Sequence, residues 1–339
     1  MRCGAIIYAT EQGLGYLAKS FHDAGVINRV LIFKHPHGDR PTKTEWYPEG
    51  TPVMDRRPFH NNYPRQTEAF LLDVDVVLFF ETPFDWEFVR LCKEQGKKTA
   101  LVTMYEWYLQ APPHRIDTLL CPSLLDLDYF PRGEFIPVPT DVPWVVRTRA
   151  HRFLHNAGHI GCRGHKGTLE LLQAMQYVKS PLEMTIRCQD AQGLQKLINS
   201  VPGIDKDNRI NWVYKSVPYD QLFDPSHDVY VAPEKFNGLS LPLQEAYASG
   251  MLVITTDRYP ANTWLPTQPM IPPSRSRRAQ TMRGHLEFDE VIVDPQNIAQ
   301  VLDTWHGQNI VEYSRKGKEW AKANSWDALK PLYLKALAP

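Results

Sequence analysis

Short apolar and β-branched runs alternate along the chain with amphipathic stretches, and this alternation limits the possible folds more than any other feature. Residues 3–9 read as a buried strand and 16–23 as a helix after a glycine turn; 30–33, 75–80 and 99–104 read as strands, with a helix at 86–95. Strands that alternate with helices indicate a parallel sheet covered on both faces. The pattern restarts after FIPVPTDVPW at 135–144, whose spaced prolines forbid a regular helix and favour an extended link. Beyond it, strands are expected at 152–156, 182–188, 210–213, 228–232 and 251–255, and helices at 168–177, 191–200 and 242–248. A helical tail covers 311–337. The expected architecture is α/β, with two doubly wound parallel-sheet domains at 1–143 and 144–310. The tail, 311–339, is expected to pack back toward the first domain. A length of 339 residues suits two domains at about 150 residues each.

Composition removes several functional classes. With 38 Lys+Arg against 38 Asp+Glu, the chain has no global attraction for nucleic acid or an anionic membrane, so any polyanion contact must be local. No run of roughly 18 apolar residues is present. The start, MRCGAIIYATEQG, has neither the longer apolar region nor the cleavage site of a signal peptide, and a cytoplasmic chain acting as monomer or homodimer is expected. Cys3, Cys92, Cys121, Cys162 and Cys188 are odd in number and never form CxxC, so reduced core thiols are expected and no metal site.

Ligands of open α/β sheets bind beyond the carboxyl ends of the strands. In the first half those loops carry Glu11, Gly13 and Gly15, then Glu81, then Tyr105 and Glu106. The GLG turn brings backbone N–H groups close to a ligand, although a tight strand-to-helix turn accounts for it equally well. Three carboxylates at three strand ends suit orientation of hydroxyls or general-base work. Solvated loops are the bland alternative.

The second half is richer. FLHNAGHIGCRGHKG at 153–167 places His155 and Asn156 at a strand end, then Arg163 and Lys166 ahead of a helix. Cations beside a helix N-terminus add to its free N–H groups and suit a diphosphate. It is not a Walker loop. VYVAPEKFNGLSLPLQEAYASG at 229–250 places Asn237, Gly238, Leu239 and Ser240 in a glycine loop and Glu245 in the first turns of a helix opened by Pro242.

These segments, in this order, resemble the GT-B-fold glycosyltransferases and within them the family-four retaining group. NGLSLPLQEAYASGMLVITTD is similar to the family's EGFGLPLLEAMASGxPVVxSD; HNAG…RGHKGTLELLQAM and the tail NSWDALKPLY match more loosely. The resemblance implies two Rossmann-like domains facing a cleft, the first for acceptor and the second for donor. It implies transfer of a hexosyl or pentosyl group from a nucleotide-sugar such as a UDP- or GDP-sugar to a hydroxyl, with retention and with no metal or other cofactor. Glu245 matches the acid that holds the ribose hydroxyls, and Lys166 the phosphate-binding lysine. Arg163 stands three residues before that lysine, where the family has its arginine at five. Asn237 stands where the family has its first Glu, near the donor sugar. The donor set is completed by Gly13, Gly15, His155, Asn156, Gly238, Leu239 and Ser240. The family's usual histidine has no clear counterpart; Tyr105 and Glu106 occupy its place, and with Glu11 and Asn237 they form the expected catalytic set.

The acceptor is left open. Arg147, Arg149 and Arg152 form one basic cluster, and Arg275, Arg277, Arg278 and Arg283 a second in an expected long loop. A solvated face is one reading. The other, with Glu81, is an acceptor surface for DNA bearing hydroxymethylated pyrimidines, as in bacteriophage enzymes, with Tyr63, Trp107 and Tyr108 available to fill the gap of a flipped base. Two further classes stay open: a nucleotide-sugar-binding protein without catalysis, and a dehydrogenase, although the first turn lacks GxGxxG.

Overall fold

A computed structural model of the chain describes residues 1–35, 41–55, 65–83, 85–108, 112–158, 164–265, 268–280 and 287–338. Two compact units are present. The first takes in Met1–Pro139 and ends with Trp326–Pro339; the second takes in Thr140–Ala279 and Glu287–Ser325. The chain therefore crosses between them inside the proline-rich stretch. The tail is shared, α10 (Val311–Ala323) belonging to the second unit and α11 (Trp326–Leu337) to the first.

The sheet of the first unit is built from β1 (Cys3–Ile7), β2 (Arg29–Phe33), β3 (Val53–Met54), β4 (Val76–Glu81), β5 (Lys98–Thr103), β6 (Thr118–Cys121) and β7 (Glu134–Phe135). Their order is β3-β2-β1-β4-β5-β6-β7, with every pairing parallel. β1 is buried throughout, and so are β2, β4 and β5 except for one end residue each. Strands with both faces covered need such apolar runs. The crossovers carry α1 (Gly13–Asp23), α2 (Arg65–Leu72), α3 (Trp86–Glu94) and α4 (Leu124–Tyr129). Asp85 and Ser123 cap α3 and α4, each side chain accepting a backbone N–H. α11 packs on α1: Trp326 and Tyr333 meet Phe21 edge-on at 4.7 and 4.8 Å, and the Tyr333 hydroxyl donates to the Pro137 carbonyl at 2.9 Å.

The second unit repeats the plan with β8 (Arg152–Gly158), β9 (Glu183–Cys188), β10 (Ile210–Val213), β11 (Val229–Ala232), β12 (Leu252–Thr256) and β13 (Met270–Ile271), in parallel order β10-β9-β8-β11-β12-β13. α5 (Thr168–Ala174), α6 (Ala191–Asn199), α7 (Leu241–Ala248), α8 (Ala261–Trp264), α9 (Pro295–Trp305) and α10 surround it. The stretch expected as a long loop is instead a two-stranded ribbon, β14 (Arg275–Gln280) with β15 (Glu287–Ile292). Alternating charged residues gave it no apolar strand signature. Among the described residues no helix is long and apolar enough to cross a membrane, and the four described cysteines are buried and free. Asp75 accepts from the Arg2 backbone and guanidinium at 2.8 and 2.9 Å as β4 opens, so DVDVV is a strand start.

In both sheets the chain reverses its direction of growth beside the first strand, between β1 and β4 and between β8 and β11. Such switch points leave a crevice at the carboxyl ends. At the first, α1 begins so close to β1 that a Cβ on Gly15 would stand 1.9 Å from the Thr10 carbonyl oxygen. Gly15→Ala should therefore cost about 1–3 kcal/mol through forced backbone movement. Urea unfolding checks this, and an unchanged midpoint would show that the turn has room.

Candidate functional site

The switch point of the second unit assembles a dense polar cluster. Gly167 has φ +68°, and a Cβ there would lie 2.0 Å from the Pro233 carbonyl oxygen. Glycine thus lets the 164–167 loop lie against the end of β11, and this contact brings Lys166 to Glu234. The Glu234 carboxylate is 1% exposed, and all its partners are internal. Oε1 accepts from Lys166 Nζ at 2.5 Å and Asn237 Nδ2 at 3.2 Å; Oε2 accepts from Arg258 Nη2 at 2.6 Å and Ser240 Oγ at 2.9 Å. Burial alone would raise this carboxyl, but Lys166 and Arg258 outweigh it and hold it at about 2.

The same residues fix the following loop. Asn237 Oδ1 accepts the Ser240 backbone N–H at 2.9 Å, and Gln244 Nε2 donates to the Leu239 carbonyl at 2.8 Å. Ser240 takes φ +48°, a left-handed conformation costly for a side-chain-bearing residue, immediately before α7. Within α7, Glu245 accepts the Tyr219 hydroxyl at 2.5 Å. Glu245 keeps part of its surface, yet desolvation pushes its carboxyl up to about 7 against the pull of Tyr219. The β14–β15 ribbon adheres to this loop: Phe288 stacks on Phe236 at 3.6 Å, and the Val291 N–H donates to the Lys235 carbonyl at 3.0 Å.

No protein-family model and no curated protein matches the chain. Solved structures do match over almost its whole length. Anabaena HepE, solved in complex with UDP and glucose, is similar with a TM-score of 0.68 at 10% identity, over 99% of each chain. A glycosyltransferase from Rickettsia africae matches at 0.64 and 12% identity, and the sucrose-phosphate synthase of Thermosynechococcus elongatus at 0.64 and 14%, each over 99% of this chain and 98% of the other. The match extends over both units described above. The fold is GT-B.

Within this GT-B chain the expected site residues fall into three groups. Lys166, Asn237, Gly238, Leu239, Ser240 and Glu245 lie together around the second switch point. Two of them are spent inward, however: Asn237 uses both ends of its amide on Glu234 and Ser240, and the Ser240 N–H is taken by Asn237. His155, on β8, is buried between β11 and α5, its ring nitrogens 2.8 Å from the Val231 carbonyl and 2.9 Å from Thr168 Oγ1, and burial lowers it to about 4. It is a core histidine. The neighbouring Asn156 presents a buried Oδ1 with no hydrogen-bond partner among the described residues. Arg163 lies outside the described residues, as do Tyr63, Cys162 and Arg283.

The second group belongs to the first unit. Gly13 is exposed at the start of α1, while Gly15 is required by packing. Glu11 is an exposed partner of Lys43 at 2.9 Å. Tyr105 is fully buried, stacked on Tyr129 at 4.5 Å, with its N–H on Asp126, so it packs as a core residue. Glu106 is half-buried beside it. Glu81 ends β4 at the switch point with φ +66°. Tyr108 packs between Trp86 and Phe130.

The basic clusters form the third group, and Arg152, Arg277 and Arg278 among them face acidic partners. Arg277 pairs with Glu290 at 2.6 Å, and Arg278 with Glu287 and Asp289 at 3.2 Å, across the ribbon; Arg275 is exposed. Arg147 is buried on the Phe223 and Asp224 carbonyls, Arg149 holds the Gly307 carbonyl, and Arg152 grips Asp228 with two nitrogens. Arg147, Arg149 and Arg152 thus tie segments of the second unit together, and Arg277 and Arg278 brace the ribbon.

Sequence reasoning missed Glu234, Arg258 and Tyr219. Among the described residues no group of three or more metal-ligating side chains occurs. Replacing Glu234 by Gln should destabilise the fold by about 3–5 kcal/mol, since two buried cations lose their counter-charge. The ionised carboxylate stabilises the fold above its ordinary value of 4.5, and that contribution is lost as pH falls toward about 2. Urea unfolding between pH 3 and 7 should show the wild-type advantage shrinking at the acid end; equal stability at pH 7 would contradict the ion cluster.

Proposed function

We propose that the protein transfers a sugar from a nucleotide-sugar, a UDP-hexose being the first candidate, to a hydroxyl acceptor. The observation that carries this reading is the meeting of Lys166, the Gly238–Ser240 turn and Glu245 at one switch point. HepE, which shares the fold, was solved with UDP and glucose and also with UDP-glucose, which supports a donor of that kind. Lys166 meets the diphosphate, and the turn preceding α7 lies along it. Glu245, when ionised, accepts the ribose hydroxyls, displacing Tyr219.

Transfer then follows front-face displacement. The acceptor oxygen bonds to the anomeric carbon as the bond from that carbon to the diphosphate oxygen breaks. The acceptor proton passes to the leaving diphosphate, and configuration is retained. Lys166 stabilises the charge that develops on the leaving group. With Asn237 turned inward, no carboxylate at that position takes part.

Glu245 couples this function to stability. Its raised carboxyl favours the protonated form in the folded chain, so its contribution is present at low pH and is lost as pH rises from 4.5 through about 7. Glu245→Gln should stabilise the fold at pH 8 by about 1–3 kcal/mol while losing nucleotide affinity. Calorimetric titration of UDP and UDP-glucose should give tighter binding to wild type as pH rises from 6 to 8 and a flat, weak response in the variant. Turnover should release UDP when a suitable hydroxyl acceptor is supplied. Failure of wild type to bind either nucleotide, or equal binding by the variant, would overturn the reading.

A further inference from the structure

Glu234 raises a problem for anion binding. Its carboxylate holds Lys166, and an ion pair alone offers a phosphate nothing. Arg258 changes the count. Among the described residues, two cations against one carboxylate leave one positive charge, and the neighbouring pairs Lys235–Glu170 and Arg277–Glu290 cancel within themselves. His165, between them, is lowered to about 4 by burial and is neutral.

The two cations differ in access. The Arg258 side chain is 3% exposed and that of Lys166 14%. Arg258 also donates through Nε to the Glu234 carbonyl at 3.1 Å and through Nη1 to the Asn237 carbonyl at 2.8 Å. It therefore clasps the 234–237 segment from the end of β12, pointing away from solvent. Lys166 is the cation of the cluster that reaches the surface.

We infer that Arg258 is a positioning residue that makes the Lys166 site receptive to a diphosphate by balancing Glu234 from within. A diphosphate at Lys166 then meets a net positive cluster and can draw the ammonium outward, because Glu234 keeps Arg258, Ser240 and Asn237 as partners. The inference rests on the reading of Lys166 as the donor's phosphate ligand.

Charge and structure are separable by rescue. Inorganic pyrophosphate is titrated calorimetrically into wild type, R258M, R258K and the double variant E234Q/R258M, with each fold checked by thermal melting. R258M leaves the cluster neutral and should lose about tenfold or more in affinity. R258K and the double variant each restore one net positive charge and should bind within about threefold of wild type. Retained affinity in folded R258M, or a tenfold loss in folded R258K or in the folded double variant, would overturn the inference. So would failure of wild type to bind pyrophosphate. Wild type that binds pyrophosphate but neither UDP nor UDP-glucose would leave the inference standing and defeat the nucleotide-sugar reading.

Discussion

A carboxylate closed off from water is tolerable only where cations and hydrogen-bond donors replace its hydration, and Glu234 meets that condition from four sides. The four partners come from three parts of the chain. Lys166 belongs to the loop that enters α5, Arg258 follows β12, Ser240 opens α7, and Asn237 lies in the turn between. The ion cluster thus ties three strand ends to one point. It also holds Ser240 in its left-handed conformation, since the Ser240 hydroxyl and N–H are both fastened. Strain of this kind persists where the surroundings over-determine it.

The same logic governs the charge of the whole chain. Several basic and acidic residues are arranged as close pairs: Arg152 with Asp228, Arg209 with Asp207, Lys235 with Glu170, and Arg277 and Arg278 with the acids they face. Surface pairs add little stability. Those that are largely buried fix geometry, and Glu234 is the clearest case. Among the described residues of the cluster, Lys166 and Arg258 face the single carboxylate of Glu234 at the switch point.

The doubly wound plan was legible because parallel strands buried on both faces must be written as apolar runs; 76–81 and 98–103 carry that signature plainly. Short edge strands such as β3 and β7 have two residues each and no such signature. The ribbon escaped because its charged residues pair across strands. At the site, the eight-residue spacing of Asn237 and Glu245 was readable, but it drew attention three residues past the buried acid. Glu234 in APEKFNG looks like a loop glutamate until Gly167 is seen to seat the neighbouring loop against Pro233. Arg258 follows TTD with no local pattern, and only the sheet order places it beside Glu234. His155 shows the converse: a strand-end histidine resembles a ligand until both its nitrogens are found engaged in the core.

The account depends on Glu234 being ionised and pinned. Carbon-detected NMR of the glutamate side-chain carboxyl carbons, with Glu234 assigned by substitution, follows this charge directly as pH is lowered from 8 to 3. The Glu234 signal should stay at its ionised position throughout, in keeping with a midpoint at about 2. Titration at or above the ordinary value of 4.5 would contradict the account, because the cluster would then hold a neutral acid beside two uncompensated cations.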